Sequence, residues 1–187
     1  MMDLGWHATG IEPNQVAAER AVRWSGAEVM VDHFPSKRLA SESFDLISSQ
    51  QVLEHLPSPA EAGREMARLL APGGRLFISV PNSGGWSARQ FGTGWIGWDV
   101  PRHQTHFTER SLARWAIDAG LQVESIRAKP HVSWIQQSAR RSPPGWVNQW
   151  ARTRWGASML ARFTGWIGQG DSLLLWARKP SKGSKSG

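Results

Sequence analysis

Hydrophobic and polar positions alternate between two rhythms along this chain, most clearly from Phe44 to Asn82. Phe44-Asp45-Leu46-Ile47-Ser48-Ser49 is a short apolar run with β-branched content between polar residues, which predicts a buried strand. Pro59 fits the first turn of a helix, where its missing N–H is no loss. Ala62, Met66, Leu69 and Leu70 then recur at helical spacing. Pro72-Gly73-Gly74 is expected to stop that helix, and Arg75 to Val80 to begin a second strand. Strand, crossover helix and strand form a right-handed parallel unit, and such sheets carry ligands at the carboxyl ends of their strands. The polar turn at that end is Gln50-Gln51-Val52-Leu53-Glu54-His55-Leu56-Pro57.

The same rhythms extend outward. Trp6 to Glu12 reads as a strand ending on an acid, followed by Pro13 and a helix through about Trp24, which Gly26 ends. Glu28 to Asp32 is a further short strand, and His33 to Ser43 a loop. Thr108 is a candidate N-cap for a helix from Glu109 to Ala119, with Gly120 as its C-cap. Leu121 to Ala128 and Ser172 to Trp176 read as two last strands, pairing antiparallel at the sheet edge. The polar tail Lys179 to Gly187 is expected to be disordered.

At 187 residues the chain is long enough for one domain with a sizeable core. It has no cysteine, so a disulfide framework and thiolate metal ligation are both excluded. A cytoplasmic protein is expected: no charged start leads into an apolar block, and no apolar run approaches a membrane span. The net charge of +7 is unevenly placed. Residues 1–124 carry 11 basic against 14 acidic residues, whereas residues 125–170 carry seven basic residues and no acid. This argues for one local basic surface rather than a nucleic-acid-binding domain.

FDLI, VLEHLP and LLAPGGRLFISVPN, in that order, resemble the second half of a class I S-adenosylmethionine (SAM)-dependent methyltransferase. They are most similar to the group that includes ubiquinone-biosynthesis O-methyltransferases and many small-molecule and glycan methyltransferases. Trp98 to Phe107 is similar to the P-x-H-x-x-H-F-[ST] stretch of that group. Ala119-Gly120-Leu121 and the closing ARKP match its later elements. The resemblance implies an α/β, Rossmann-like three-layer fold with a mostly parallel sheet whose last strand is antiparallel. It covers residues 1–179 except a variable helical cap at 130–168, with residues 180–187 as a tail. Met1 to Gly5 is similar to the end of that family's first helix. The first strand, its glycine-rich loop and most of that helix, on the order of 30 residues, are therefore expected to be missing here. In the family's strand order, 3-2-1-4-5-7-6, that loss would uncover two edges that are normally paired.

The resemblance implies SAM as cofactor and methyl transfer to an oxygen, in preference to nitrogen or carbon, of a small-molecule or glycan acceptor, without a metal. It assigns Glu12 to the ribose hydroxyls, Asp32 with His33 to the adenine, and Gln50, Gln51 and Leu53 to the methionine half. Plainer readings stand beside these: Glu12 as a solvated helix-start acid, and Asp32 as an exposed loop acid. His103 is the leading candidate for deprotonating a hydroxyl, and His55 the second. For Glu54 and His55 the simpler reading is that they shape the turn by bonding to backbone. A metal held by His103 and His106 lacks a visible third ligand.

Trp86, Trp95 and Trp98 lie in a glycine-rich segment, Ser83 to Gly97, that reads as a lid over a substrate pocket or as plain packing. Residues 131–167 mix tryptophan and arginine without acids. This suits peripheral contact with a membrane's inner face or, more simply, a solvated helical cap whose amphipathic pattern glycines dilute. No nucleic-acid partner is expected. Two rival functions remain, a non-catalytic methyltransferase-like domain and a membrane-surface binding protein acting through that segment.

Overall fold

The computed structural model describes residues 5–181. The expected kinship of the opening residues with a helix end, and most of the expected disordered tail, lie outside them. Residues 1–40 and 41–187 form two compact units.

The first unit holds two short parallel strands, β1 (Thr9–Ile11) and β2 (Glu28–Met30), joined through helix α1 (Gln15–Ser25). Both strands are shorter than the sequence suggests. α1 begins two residues beyond Pro13 because Asn14 is its N-cap, accepting from the Ala17 N–H. Gly26 closes it in the left-handed conformation that glycine adopts without strain.

The second unit is built on a four-stranded sheet of order β3-β4-β6-β5, where β3 is Phe44–Gln50, β4 Leu70–Pro81, β5 Gln122–Lys129 and β6 Ser172–Arg178. β3 and β4 pair in parallel and are connected by helix α2 (Pro59–Leu69); β6 runs antiparallel between β4 and β5. In the family's numbering this is 4-5-7-6, and the first unit's pair is 3-2. The described strands thus form two sheets.

Pro72-Gly73-Gly74 does not separate helix from strand. β4 already begins at Leu70, opposite Phe44, and pairing resumes at Leu46 and Arg75, so the Pro-Gly-Gly segment bulges within the strand. Backbone bonds between this bulge and Lys179 hold it to the end of β6. A side chain at Gly74 would meet the carbonyl oxygens of Ala71 and Phe44, so the bulge needs glycine there.

The sheet's core alternates as expected: Leu76, Ile78 and Val80 of β4 and Leu173 and Leu175 of β6 are buried. α2 contributes Ala62, Met66 and Leu69. Helix α4 (Glu109–Asp118) is capped by Thr108, with Ser111 completing a reciprocal capping box. It packs against α2 where Gly63 leaves room for the Trp115 indole, whose N–H donates to the Pro59 carbonyl.

A second core lies under the C-terminal cap. Helix α3 (Trp86–Phe91) and Trp95 pack against α5 (Val132–Arg141), α6 (Trp146–Arg152) and α7 (Arg154–Trp166) through Phe91, Ile135, Ala139, Ala157 and Leu160. Of the two readings of Ser83 to Gly97, lid or plain packing, packing is what its tryptophans show. Trp95 is buried in a cluster whose members on α5, α6 and α7 are mostly alanines, while Trp86 and Trp98 are partly buried against it.

Leu175 lies in the strand that joins both antiparallel pairings and is fully buried. Leu175→Ala is expected to lower unfolding stability by about 2–5 kcal/mol, measured by urea denaturation.

Candidate functional site

At the carboxyl end of β3 the chain turns sharply. Gln51 takes a positive φ of 53°, and the turn is held to β4 by its N–H on the Ser79 carbonyl and its side-chain amide on the Ser79 hydroxyl. Leu53-Glu54-His55 follows as a single 3₁₀ turn. Its partner is the segment Gly97 to Phe107: the N–H groups of Gln104 and Thr105 donate to the Glu54 carbonyl, and a bridge between Asn82 and Phe107 ties that segment to the end of β4. Residues about 50 positions apart are thereby fixed against each other at the ligand-facing end of the sheet.

Three imidazoles meet there, each oriented by a backbone carbonyl. His55 Nδ1 lies 3.0 Å from the Arg102 oxygen, His103 Nδ1 2.8 Å from the Gly97 oxygen, and His106 Nε2 2.9 Å from the Trp98 oxygen. A carbonyl only accepts, so the proton of each neutral ring sits on the bonded nitrogen and the other nitrogen keeps its lone pair. For His103 that nitrogen is Nε2, which faces Glu54 Oε1 at 4.0 Å and Asp99 Oδ2 at 3.8 Å. The His55 ring stands edge-on to His103, with centroids 4.6 Å apart.

Glu54 is only 1% exposed, and neither carboxylate oxygen has a hydrogen-bond partner in another residue. Burial raises its pKa, with its own backbone N–H and the nearby His55 opposing. Burial likewise lowers His103, against the Gly97 carbonyl that favours its charged form. Asp99 is held below the ordinary carboxylate range by the Arg102 guanidinium, which donates to it at 2.7 Å.

This geometry revises part of the sequence reading. His55 does brace backbone, as expected, but Glu54 does so only through its main chain; its carboxylate is left unsatisfied inside the protein. Among the described residues, Glu54, His55 and His103 form a group whose ligating atoms lie within 4.8 Å of one another and could hold a metal ion. The third ligand that the His103/His106 pair lacked in sequence thus comes from the turn after β3, and it joins His103 to His55. His106 instead packs its ring on Trp98 beside the buried Phe107. Asp99 went unnoticed in sequence; its signal was the Asp-x-x-Arg-His spacing.

Gln50 is exposed, Gln51 half-buried at the turn, and Leu53 fully buried beneath it, in the core rather than on an open wall. In the first unit, Glu12 directly follows β1 and accepts from the Asn14 N–H at 2.9 Å, just ahead of the start of α1. Asp32 accepts from the His33 N–H and the Ser36 hydroxyl, which together hold its pKa down, so part of its bonding capacity serves a local turn.

A 4-5-7-6 strand order, with an acid directly after the first strand of a separate parallel pair, defines the class, a Rossmann-like methyltransferase fold. Residues 1–126 match the family model described as a methyltransferase domain, and the chain belongs to that family. A ubiquinone biosynthesis O-methyltransferase of Xanthomonas oryzae pv. oryzae is 34% identical over 163 residues, covering 79% of this chain and 66% of that protein. Its counterpart from Aeromonas salmonicida is 32% identical, covering 67% and 58%. The chain thus spans less than two thirds of the length of these curated relatives. Among solved structures, a SAM-dependent methyltransferase of Methanosarcina mazei superposes with a TM-score of 0.60 at 20% identity, over 93% of this chain and 82% of that one. The 1,6-didemethyltoxoflavin-N1-methyltransferase of Burkholderia thailandensis, solved with S-adenosylhomocysteine, gives 0.55 at 18% identity, over 96% and 64%.

Burial of Glu54 has a measurable sign. An unfolded chain releases this proton near the ordinary value of 4.5, and the folded chain only above it. The charge therefore weakens the fold as pH rises through that range. Glu54→Gln is expected to raise Tm at neutral pH, and the gain to vanish below the ordinary carboxylate range, in thermal melts recorded across pH.

Proposed function

We propose that this chain serves SAM-dependent methyl transfer to a hydroxyl of a small-molecule or glycan acceptor, in the cytoplasm, with His103 as the general base. The observation that supports it best is the orientation of His103: Nδ1 is engaged by the Gly97 carbonyl, and the free Nε2 faces a buried, unpartnered carboxylate. Oxygen as acceptor is favoured by the relatives named as O-methyltransferases. SAM, when bound, supplies a methyl group already activated on sulfonium, so the protein's tasks are alignment and removal of one proton. His103 Nε2 takes the acceptor's hydroxyl proton as the oxygen attacks, and the Glu54 carboxylate stabilises the imidazolium that forms. The Gly97 carbonyl keeps the ring from rotating. In the first unit, Glu12 is assigned to the ribose hydroxyls by the family likeness.

Titration of this chain with S-adenosylhomocysteine should give saturable binding in the micromolar range, an affinity of about −8 kcal/mol, and Glu12→Ala should weaken it roughly tenfold. A folded chain that does not bind would favour the non-catalytic reading.

Transfer of labelled methyl to a panel of phenolic and glycan acceptors tests the base. His103→Gln should lower kcat by roughly 100-fold with the S-adenosylhomocysteine affinity unchanged. The rate should fall only when pH drops below the histidine's ordinary 6.5, because burial lowers His103. Glu54, His55 and His103 also support a second reading, as ligands of a divalent cation that would acidify the acceptor hydroxyl. Loss of transfer after EDTA dialysis, restored by magnesium or zinc, would select that reading over a free base.

A further inference from the structure

Helix α7 is inverted relative to an ordinary surface helix. Leu160 apart, its inward positions are small, with Gly156, Ala157, Ala161 and Thr164 buried, whereas its other large apolar residues face solvent. Trp155 is 67% exposed and Trp166 84%, with Met159 and Phe163 between them also exposed. These four positions are spaced i, i+4, i+8 and i+11, which places them in one stripe. α6 continues it: the Trp150 ring meets Trp155 edge-on at 5.7 Å, and Trp146, one turn earlier on α6, is 82% exposed. The glycines that seemed to dilute the amphipathic pattern lie off this face: Gly156 is buried, and Gly165 is half-buried against Pro130.

Charge says what covers the stripe. Arg154 and Arg162 flank it on α7, Arg140 and Arg141 end α5, and all four are exposed. No acidic residue occurs between positions 125 and 170. We propose that the outer face of α6 and α7 docks on the surface of an anionic phospholipid bilayer, with the tryptophans at headgroup depth and the arginines on the phosphates. Among the described residues no helix is long and apolar enough to cross a membrane, so the contact is peripheral. A second copy of the chain fits this surface poorly, because two faces that carry only positive charge would be brought together.

The test is flotation of the full chain with vesicles of phosphatidylglycerol mixed with phosphatidylcholine, against phosphatidylcholine alone. Binding should require phosphatidylglycerol, weaken with salt, and fall roughly tenfold in W155S/F163S and in R154Q/R162Q, with circular dichroism unchanged. Brominated lipid in the same vesicles should quench the wild-type tryptophan fluorescence, a readout independent of any variant. Absence of flotation, equal binding to phosphatidylcholine alone, or full binding by W155S/F163S would overturn the proposal. So would a lipid-indifferent dimer that W155S/F163S dissolves, or RNA binding without flotation.

Discussion

The rest of the site depends on a carboxylate that the fold buries and does not satisfy. Leaving a buried polar group without a partner costs roughly 1–3 kcal/mol, and more when it is charged. The main chain of the same residue, by contrast, is well served, since Glu54's carbonyl accepts two N–H groups from the segment around Gln104. That bonding holds the turn after β3 against the segment that carries His103. The side chain is thus kept where it destabilises the fold by backbone bonds that stabilise it. Such a conflict persists in a protein when something else uses the group, and what faces Glu54 is the Nε2 edge of His103.

The histidines divide along the same line. All three are fixed by backbone carbonyls, yet His106 spends its remaining ring surface on Trp98, whereas His55 and His103 turn theirs toward each other and Glu54. Carbonyl acceptance fixes the tautomer of His103, and burial keeps that tautomer neutral. A neutral imidazole with a free Nε2 beside a carboxylate has the protonation state a base requires, before any ligand is considered.

The strands β3 and β4, helix α2 and the pairing of the last two strands were legible in sequence, because their apolar positions repeat with a period set by local geometry. The role of Pro72-Gly73-Gly74 was not. A proline and two glycines after a helix look the same whether they end an element or bulge within the next one, and here the pairing with Phe44 and Lys179 decides. At the site, His103 and His55 could be picked from their residue type. Glu54 could not be told from a solvated turn acid, because its burial is created by a segment about 50 residues away. For Trp95 sequence left lid and packing both open, and packing holds: the alanines clustered with it lie on α5, α6 and α7, more than 40 residues further along the chain.

Those alanines also account for the outward face of the cap. Helices can approach closely only over small side chains, so the packing of α7 on α5 and α6 is made with alanine, glycine and threonine on its inner face. Leu160 apart, its bulky residues are then left to the outside, and composition alone cannot say which face they take. What distinguishes this outer face from incidental exposure is its regularity: apolar residues in register along one helix, a ring contact carrying the stripe onto α6, and basic residues without a single acid to neutralise them. Isolated exposed tryptophans need no explanation, but a continuous ridge of them beside uncompensated arginines does. A partner that combines an apolar interior with a negative surface answers both features at once, and an anionic bilayer has both within the depth of one helix.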